Sequence, residues 1–184
     1  MFAPLVLVLL LVLPFSVYTQ RFTPVDTRDA VTFSIKNFGA TVNGSFQGLS
    51  GTILFDPEEP EKTLIHVSVK AETVQTGIDM RDRHLRKKDY FNAGEFPVIT
   101  FVSTVVRKGS KTGEYVVSGT LNLKGKSEAI TFPFSVAKAA GRVIFTGSFS
   151  INRLDFGVGG WSVSLSDAVL VKLSVPVESI EVDH

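Results

Sequence analysis

The sequence predicts an all-β fold: an eight-stranded antiparallel barrel with one short helix near residues 79–88. Apolar and polar side chains alternate from residue 31 onward, the signature of strands with one buried face. Clusters of Gly, Pro and Asp interrupt that alternation at short intervals, as turns require. One segment departs from the pattern, a dense run of charge at residues 79–88.

Taken in order, Val31, Phe33 and Ile35 alternate with Thr32, Ser34 and Lys36. Ile53 and Phe55 form the next apolar face, followed by Ile65, Val67 and Val69. Ile99, Phe101, Ser103 and Val105 share the fourth face, and Tyr115, Val117, Gly119, Leu121 and Leu123 the fifth. Ile130, Phe132, Phe134 and Val136 make the sixth. Val143, Phe145, Gly147, Phe149 and Ile151 make the seventh, and Val169, Val171, Leu173, Val175 and Val177 the last. Asp56-Pro57, Lys108-Gly109-Ser110, Gly125 and Ala140-Gly141 mark turns between them. Phe46 and Ile53 fall on opposite parities, which predicts a bulge or bend near Gly48–Gly51. Antiparallel strands of this length either stack as two sheets or close, and eight closed strands leave room for side chains or one small ligand.

The helix is expected over Asp79–Lys88, with Thr76 and Asp79 as capping candidates and Asp82 and Arg86 four apart on one face. Ile78 and Leu85 are its inward candidates, and it is expected to lie across one end of the barrel. Residues 179–184 read as a C-terminal tail or short terminal strand.

A chain of 184 residues fits one domain, here placed at residues 22–178. Residues 1–19 carry no charged side chain, and Leu5–Leu13 is an unbroken apolar run shorter than the ~20 residues of a membrane span. The segment therefore reads as a signal peptide cleaved near Val17-Tyr18-Thr19, with an uncleaved anchor as the alternative. A periplasmic or secreted location is the expectation. The absence of cysteine excludes disulfides, a thiol nucleophile and thiolate metal sites. With 19 Lys and Arg against 18 Asp and Glu, no broad basic surface for nucleic acid is implied.

Five cations, Arg81, Arg83, Arg86, Lys87 and Lys88, and His84 crowd eight positions, and Tyr90, Phe91, Phe96 and Phe101 follow. Basic and aromatic groups side by side suit an amphiphile. Thr76-Gly77, Arg81-Asp82, His84-Leu85-Arg86, Asp89, Phe91, Phe96-Pro97 and Thr100-Phe101 together closely resemble the signature of the YceI-like family. The resemblance continues through Val31-x-Phe33-x-Ile35, Gly44-x-Phe46 and Gly51-x-Ile53-x-Phe55-Asp56. It extends to Ser118-Gly119-x-Leu121-x-Leu123-x-Gly125 and Asn152-Arg153-x-Asp155-Phe156-Gly157. Lys124 and Ser127 depart from the family's usual His and Thr. The resemblance implies a lipocalin-like barrel that holds a long apolar chain in its lumen, in an exported protein, and it implies no catalysis.

Phe33, Phe46, Phe101, Leu121, Phe132, Phe145, Phe149 and Trp161 are the candidate apolar lining. Pattern alone favours a solid core filled by Phe33, Phe101, Phe132, Phe134, Phe145 and Phe149, and the family resemblance reverses that preference. Burial is worth about 0.8 kcal/mol per methylene, so ten methylenes offer roughly 8 kcal/mol gross, whereas one charge-assisted hydrogen bond adds about 1.5–3 kcal/mol. The tail should set affinity and polar groups at the mouth orientation. Arg81, His84, Arg86 and Arg153 are the candidate polar mouth, since a guanidinium offers a planar fork to phosphate or carboxylate. The competing reading pairs these cations with Asp82 and Asp155 in purely structural contacts.

His66, His84 and His184 have no metal-site spacing, and no metal or cofactor is expected. No Gly-x-Ser-x-Gly elbow supplies a nucleophile, and Gly157-Val158-Gly159-Gly160 lacks the Lys-Ser/Thr of a phosphate loop. The expected function is therefore non-enzymatic: an exported protein that sequesters or transports an amphiphilic lipid such as a polyisoprenoid or fatty-acid derivative. The alternative is a solid-cored structural or interaction module that docks a protein or membrane partner. A homodimer and a peripheral membrane contact stay open.

Overall fold

Each alternating segment from residue 31 onward becomes strand. The structure, a computed structural model, describes residues 20–139 and 141–180. The signal-peptide reading, Ala140 of the last turn and residues 181–184 of the tail lie outside the described residues. Ten strands form: β1 Gln20–Pro24, β2 Val31–Asn37, β3 Ala40–Phe46, β4 Ser50–Phe55 and β5 Leu64–Lys70, then β6 Val98–Lys108, β7 Glu114–Leu123, β8 Lys126–Ala139, β9 Arg142–Asn152 and β10 Leu165–Ile180. Among the described residues one α-helix, α1, spans Asp79–Leu85.

Eight of these strands close into an antiparallel barrel in the order β1-β4-β5-β6-β7-β8-β9-β10, with β1 hydrogen-bonded to β10 across the seam. The 16-residue β10 makes closure possible. One edge pairs with β9 along most of its length. The other is shared: Leu165–Leu173 pair with β2 and Val177–Ile180 with β1. The β2–β3 hairpin thus extends the wall at one end, where Ser45 of β3 bridges Gln75.

The membership of the eight differs from the sequence expectation, because β1 belongs to the ring and β2 to the added hairpin. Both β1 and β3 were missed. Five residues of β1 are too few to show a period, and β3 carries only Val42 and Phe46 as large apolar groups. The parity break near Gly48–Gly51 is a change of partner rather than a bulge within one strand. β3 pairs with β2, while β4 pairs with β1 and β5. The Asp26 carboxylate accepts from the N–H groups of Gly48 (2.9 Å) and Leu49 (3.1 Å) and fixes that crossing.

A bulge does occur in β6, between Ser103 and Val105, and it corrects the expected face. The extra residue shifts parity, so fully buried Val106 takes the inward place assigned to Val105. Ser103, inside the barrel wall, accepts from the Ile65 N–H at 2.8 Å. Ser179 and Ile180, expected in the tail, continue β10.

The core has two parts. At the β1 end, Phe22, Phe55, Tyr115, Phe134 and Phe145 pack as five rings with centroids 5.1–6.0 Å apart, mostly edge-to-face or stacked. They form a solid floor. At the opposite end a smaller cluster of Leu121, Leu123, Phe156 and Val158 anchors the β9–β10 connection.

Candidate functional site

Between the aromatic floor and the far end lies an apolar cavity of about 640 Å³, inside the roughly 300–1,000 Å³ of small-molecule sites. Strands supply its walls because every second side chain must face inward. Phe33, Phe46, Phe101, Leu121, Phe132, Phe145, Phe149 and Trp161 all border it. They do so at four levels. Phe145 belongs to the floor. Phe132 stacks on Phe149 at 4.6 Å and tilts against Phe101 at 5.6 Å in the middle, with Leu121 beside them in the wall. Phe46 joins Phe33 at 5.5 Å and Phe91 at 5.2 Å on the hairpin side. Trp161 is 79% exposed and stands on the rim, not in the lumen.

Gly119 is part of this architecture. A Cβ there would stand 2.5 Å from the Phe101 ring and 2.4 Å from the Val102 carbonyl oxygen. Glycine lets the ring lie flat over the neighbouring strand.

The mouth is roofed by α1 and the residues after it. The helix ends three residues earlier than expected, with Arg86 as its C-cap. Beyond it the Tyr90 N–H donates to Lys87 O and the Phe91 N–H to Leu85 O, so the chain turns back on itself. Neither Thr76 nor Asp79 caps the helix; Ile78 occupies the cap position and is exposed, whereas Leu85 packs against the core. Thr76 has another role. Its hydroxyl and its N–H (2.8 Å) both donate to the buried Asp82 carboxylate, and it accepts from Arg81 Nε at 2.6 Å.

The four candidate mouth cations separate. Arg81 and His84 border the cavity, and among the described residues neither has a carboxylate within 4.0 Å. Arg81 spends Nε and one Nη2–H on Thr76, leaving its other donors uncommitted. His84 packs edge-on to Tyr90 at 5.0 Å. It also borders an open cleft with Lys88, Asp89, Tyr90, Glu95, Phe96 and Lys124. Arg86 does not border the cavity: its guanidinium donates to Val74 O at 3.3 Å, and the expected pair with Asp82 does not form.

Arg153, 3% exposed, borders the cavity but spends all five donors structurally. They reach Ser166 O, Val158 O, Gly160 O, Leu165 O and Asp167 Oδ1, the last at 2.9 Å. Its carboxylate partner is Asp167 rather than Asp155. The guanidinium is thus a hub that shapes the loop presenting Trp161. Lys124, the departure noted in the central strand turn, donates to Asp89 O and Gly157 O and ties the roof to that loop. Burial holds its amine below the ordinary lysine value.

Sequence reasoning missed Leu49, Val67, Tyr90, Phe91 and Val158 as cavity residues. In the sequence Tyr90 stands out only as a neighbour of the basic run, and Phe91 as that and as a position of the family signature. Their inward position comes from the turn after α1, which no local period signals. Among the described residues no group of three or more His, Asp or Glu is placed to hold a metal ion.

A closed antiparallel barrel with an apolar chamber and a helix over its mouth defines the lipocalin-like class of barrels. The YceI-like domain model matches residues 22–177, and the chain belongs to that family. It is 36% identical over 138 residues to a UPF0312 protein of Pseudomonas fluorescens, covering 69% of this chain and 70% of that one. A UPF0312 protein of Yersinia enterocolitica is 36% identical over 102 residues, 55% of this chain. The chain spans about half the length of that relative and of the Photorhabdus laumondii relative it matches (52% and 50%).

Among solved structures, BcnA of Burkholderia cenocepacia superposes with a TM-score of 0.74 at 26% identity, covering 85% of this chain and 96% of that one. A polyisoprenoid binding domain from Saccharophagus degradans shares the fold at TM-score 0.68 and 20% identity, covering 86% of this chain and 98% of that one.

Proposed function

We propose that this protein is an exported binder that sequesters or transports one amphiphilic lipid, a polyisoprenoid or fatty-acid derivative, in the barrel lumen. The observation that carries the proposal is the 640 Å³ apolar chamber with Arg81 and His84 at its mouth. Taking a methylene as about as bulky as the ~30 Å³ share of a liquid water, the chamber holds on the order of twenty carbon-sized units. Ten of them, desolvated, offer roughly 8 kcal/mol gross, which exceeds any single polar contact at the mouth. The uncommitted donors of Arg81, with His84 beside them, receive an anionic or hydrogen-bond-accepting head group. Two further observations support the reading: the Saccharophagus neighbour is a polyisoprenoid binding domain, and the apolar run Leu5–Leu13 suits an export signal. Binding needs no chemistry beyond burial and orientation.

Narrowing the chamber tests this. Ile99→Phe with Val171→Phe adds bulk to two wall positions. The expected result is at least tenfold weaker uptake of a fluorescent long-chain fatty acid, with cooperative unfolding retained. Unchanged uptake by a folded variant would place the ligand elsewhere.

A further inference from the structure

The four most exposed large apolar side chains among the described residues are Val163 (88%), Phe38 (85%), Trp161 (79%) and Met80 (74%), and all stand at the mouth end. Phe38 and Trp161 border the cavity itself, Val163 lies between cavity-lining Ser162 and Ser164, and Met80 precedes Arg81. The Phe38 N–H donates to Ser164 O at 2.8 Å, so hairpin tip and loop form one rim.

Nothing in the fold requires these groups. Phe38 and Gly39 are the two-residue turn between β2 and β3, with φ of +48° and +77°. Such a turn favours Asn-Gly, and a bulky residue at positive φ is disfavoured. A phenylalanine there serves neither the turn nor the core. Patches of this kind mark a contact surface.

The charge beside the rim selects the partner. Exposed Arg83, Lys87 and Lys88 belong to α1 and the turn after it, and Lys36 to the hairpin. The acidic neighbours on the helical segment are exposed Asp79 and Asp89, with Asp82 buried on Thr76. Cations flanking Trp and Phe match the negative surface and interfacial depth of an anionic bilayer.

We infer that the barrel docks mouth-first on anionic phospholipid, with Phe38, Trp161 and Val163 in the interface and Arg83, Lys87 and Lys88 on the head groups. The inference rests on the lipid-carrier reading and adds where cargo is exchanged: the chain passes between bilayer and lumen without crossing water.

Trp161 is the only tryptophan and reports on the rim directly. The full chain is titrated with vesicles of equal parts phosphatidylglycerol and phosphatidylcholine, or of phosphatidylcholine alone, each with or without bromine-labelled acyl chains. Any contribution of residues 1–19 is common to all variants. The expected result is a blue shift and bromine quenching of Trp161 on the anionic vesicles, weakened by salt. At about fivefold per charge, Arg83→Gln, Lys87→Gln and Lys88→Gln together should lower vesicle affinity roughly 100-fold. Phe38→Ser with Val163→Ser should lower it at least tenfold. The triple variant of Arg83, Lys87 and Lys88, none of which borders the cavity, should take up a soluble fluorescent fatty acid without vesicles as the parent does.

Vesicle binding with Trp161 unquenched, or equal binding to neutral vesicles, overturns mouth-first docking. So does fatty-acid uptake with no vesicle binding, an outcome that leaves the lumen reading standing. Self-association through the rim in place of vesicle binding also overturns it. Loss of fatty-acid uptake in the parent chain, with vesicle binding intact, sinks the lumen reading instead.

Discussion

Single residues decide whether this barrel is hollow and how its mouth is held. Arg153 is the clearest case: a buried guanidinium with five acceptors, one of them the half-exposed Asp167 carboxylate. Arg153→Ala leaves four carbonyls and a carboxylate without their donor, and is expected to destabilise by about 3 kcal/mol. Urea unfolding checks the loss, and a changed Trp161 emission in the still-folded variant checks the hub. Gly119→Ala drives a methyl into the Phe101 ring and the Val102 carbonyl and should cost about 1–3 kcal/mol, read from the denaturation midpoint. Much of the site was legible residue by residue. Seven of the eight apolar candidates, all but the loop-borne Trp161, border the chamber because strand period fixes which side chains face inward. The roles of the cations were less legible. Whether a guanidinium meets a carboxylate, a carbonyl or open space depends on how loops fold, as Arg86 on Val74 O and Arg153 on Asp167 show.

Elements show the same division. Long strands such as β7 and β10 carry enough repeats to reveal their inner face, whereas β1 and the bulge in β6 leave no local trace. Yet β1 is the closing strand, and its Phe22 meets Phe145 at 6.0 Å in the floor. Phe22→Ala is expected to cost about 3–5 kcal/mol, checked by chemical unfolding, because it opens a cavity in the solid end. At the other end Lys124 joins two elements, accepting burial of its amine to hold Asp89 O and Gly157 O. Burial lowers its pKa from 10.5, so between the lowered value and 10.5 the unfolded chain keeps a proton that the folded chain has released. Stability from this group therefore rises with pH across that window. Lys124→Met should remove that rise, as seen by comparing urea midpoints of the two proteins from neutral to alkaline pH.

At the scale of the molecule, the barrel divides its length between two uses. Five rings at the β1 end make the solid core that pattern alone would allow, and the remaining length is a chamber under a helical roof. Folding stability and ligand capacity are thereby separated in space, so substitutions in the chamber wall should alter uptake more than unfolding. The basic run and the aromatic strands were readable from the residue pattern, and closure only from the family resemblance, since the pattern equally allowed two stacked sheets. The partition was not, because inward phenylalanines look alike whether they meet one another or surround a void. The most direct measurement is native mass spectrometry of the protein purified without detergent. The expected result is a barrel carrying one lipid of a few hundred daltons that leaves on gentle activation, and that a prenyl alcohol of about twenty carbons replaces. A barrel that is always empty and takes up no long-chain amphiphile would contradict the account.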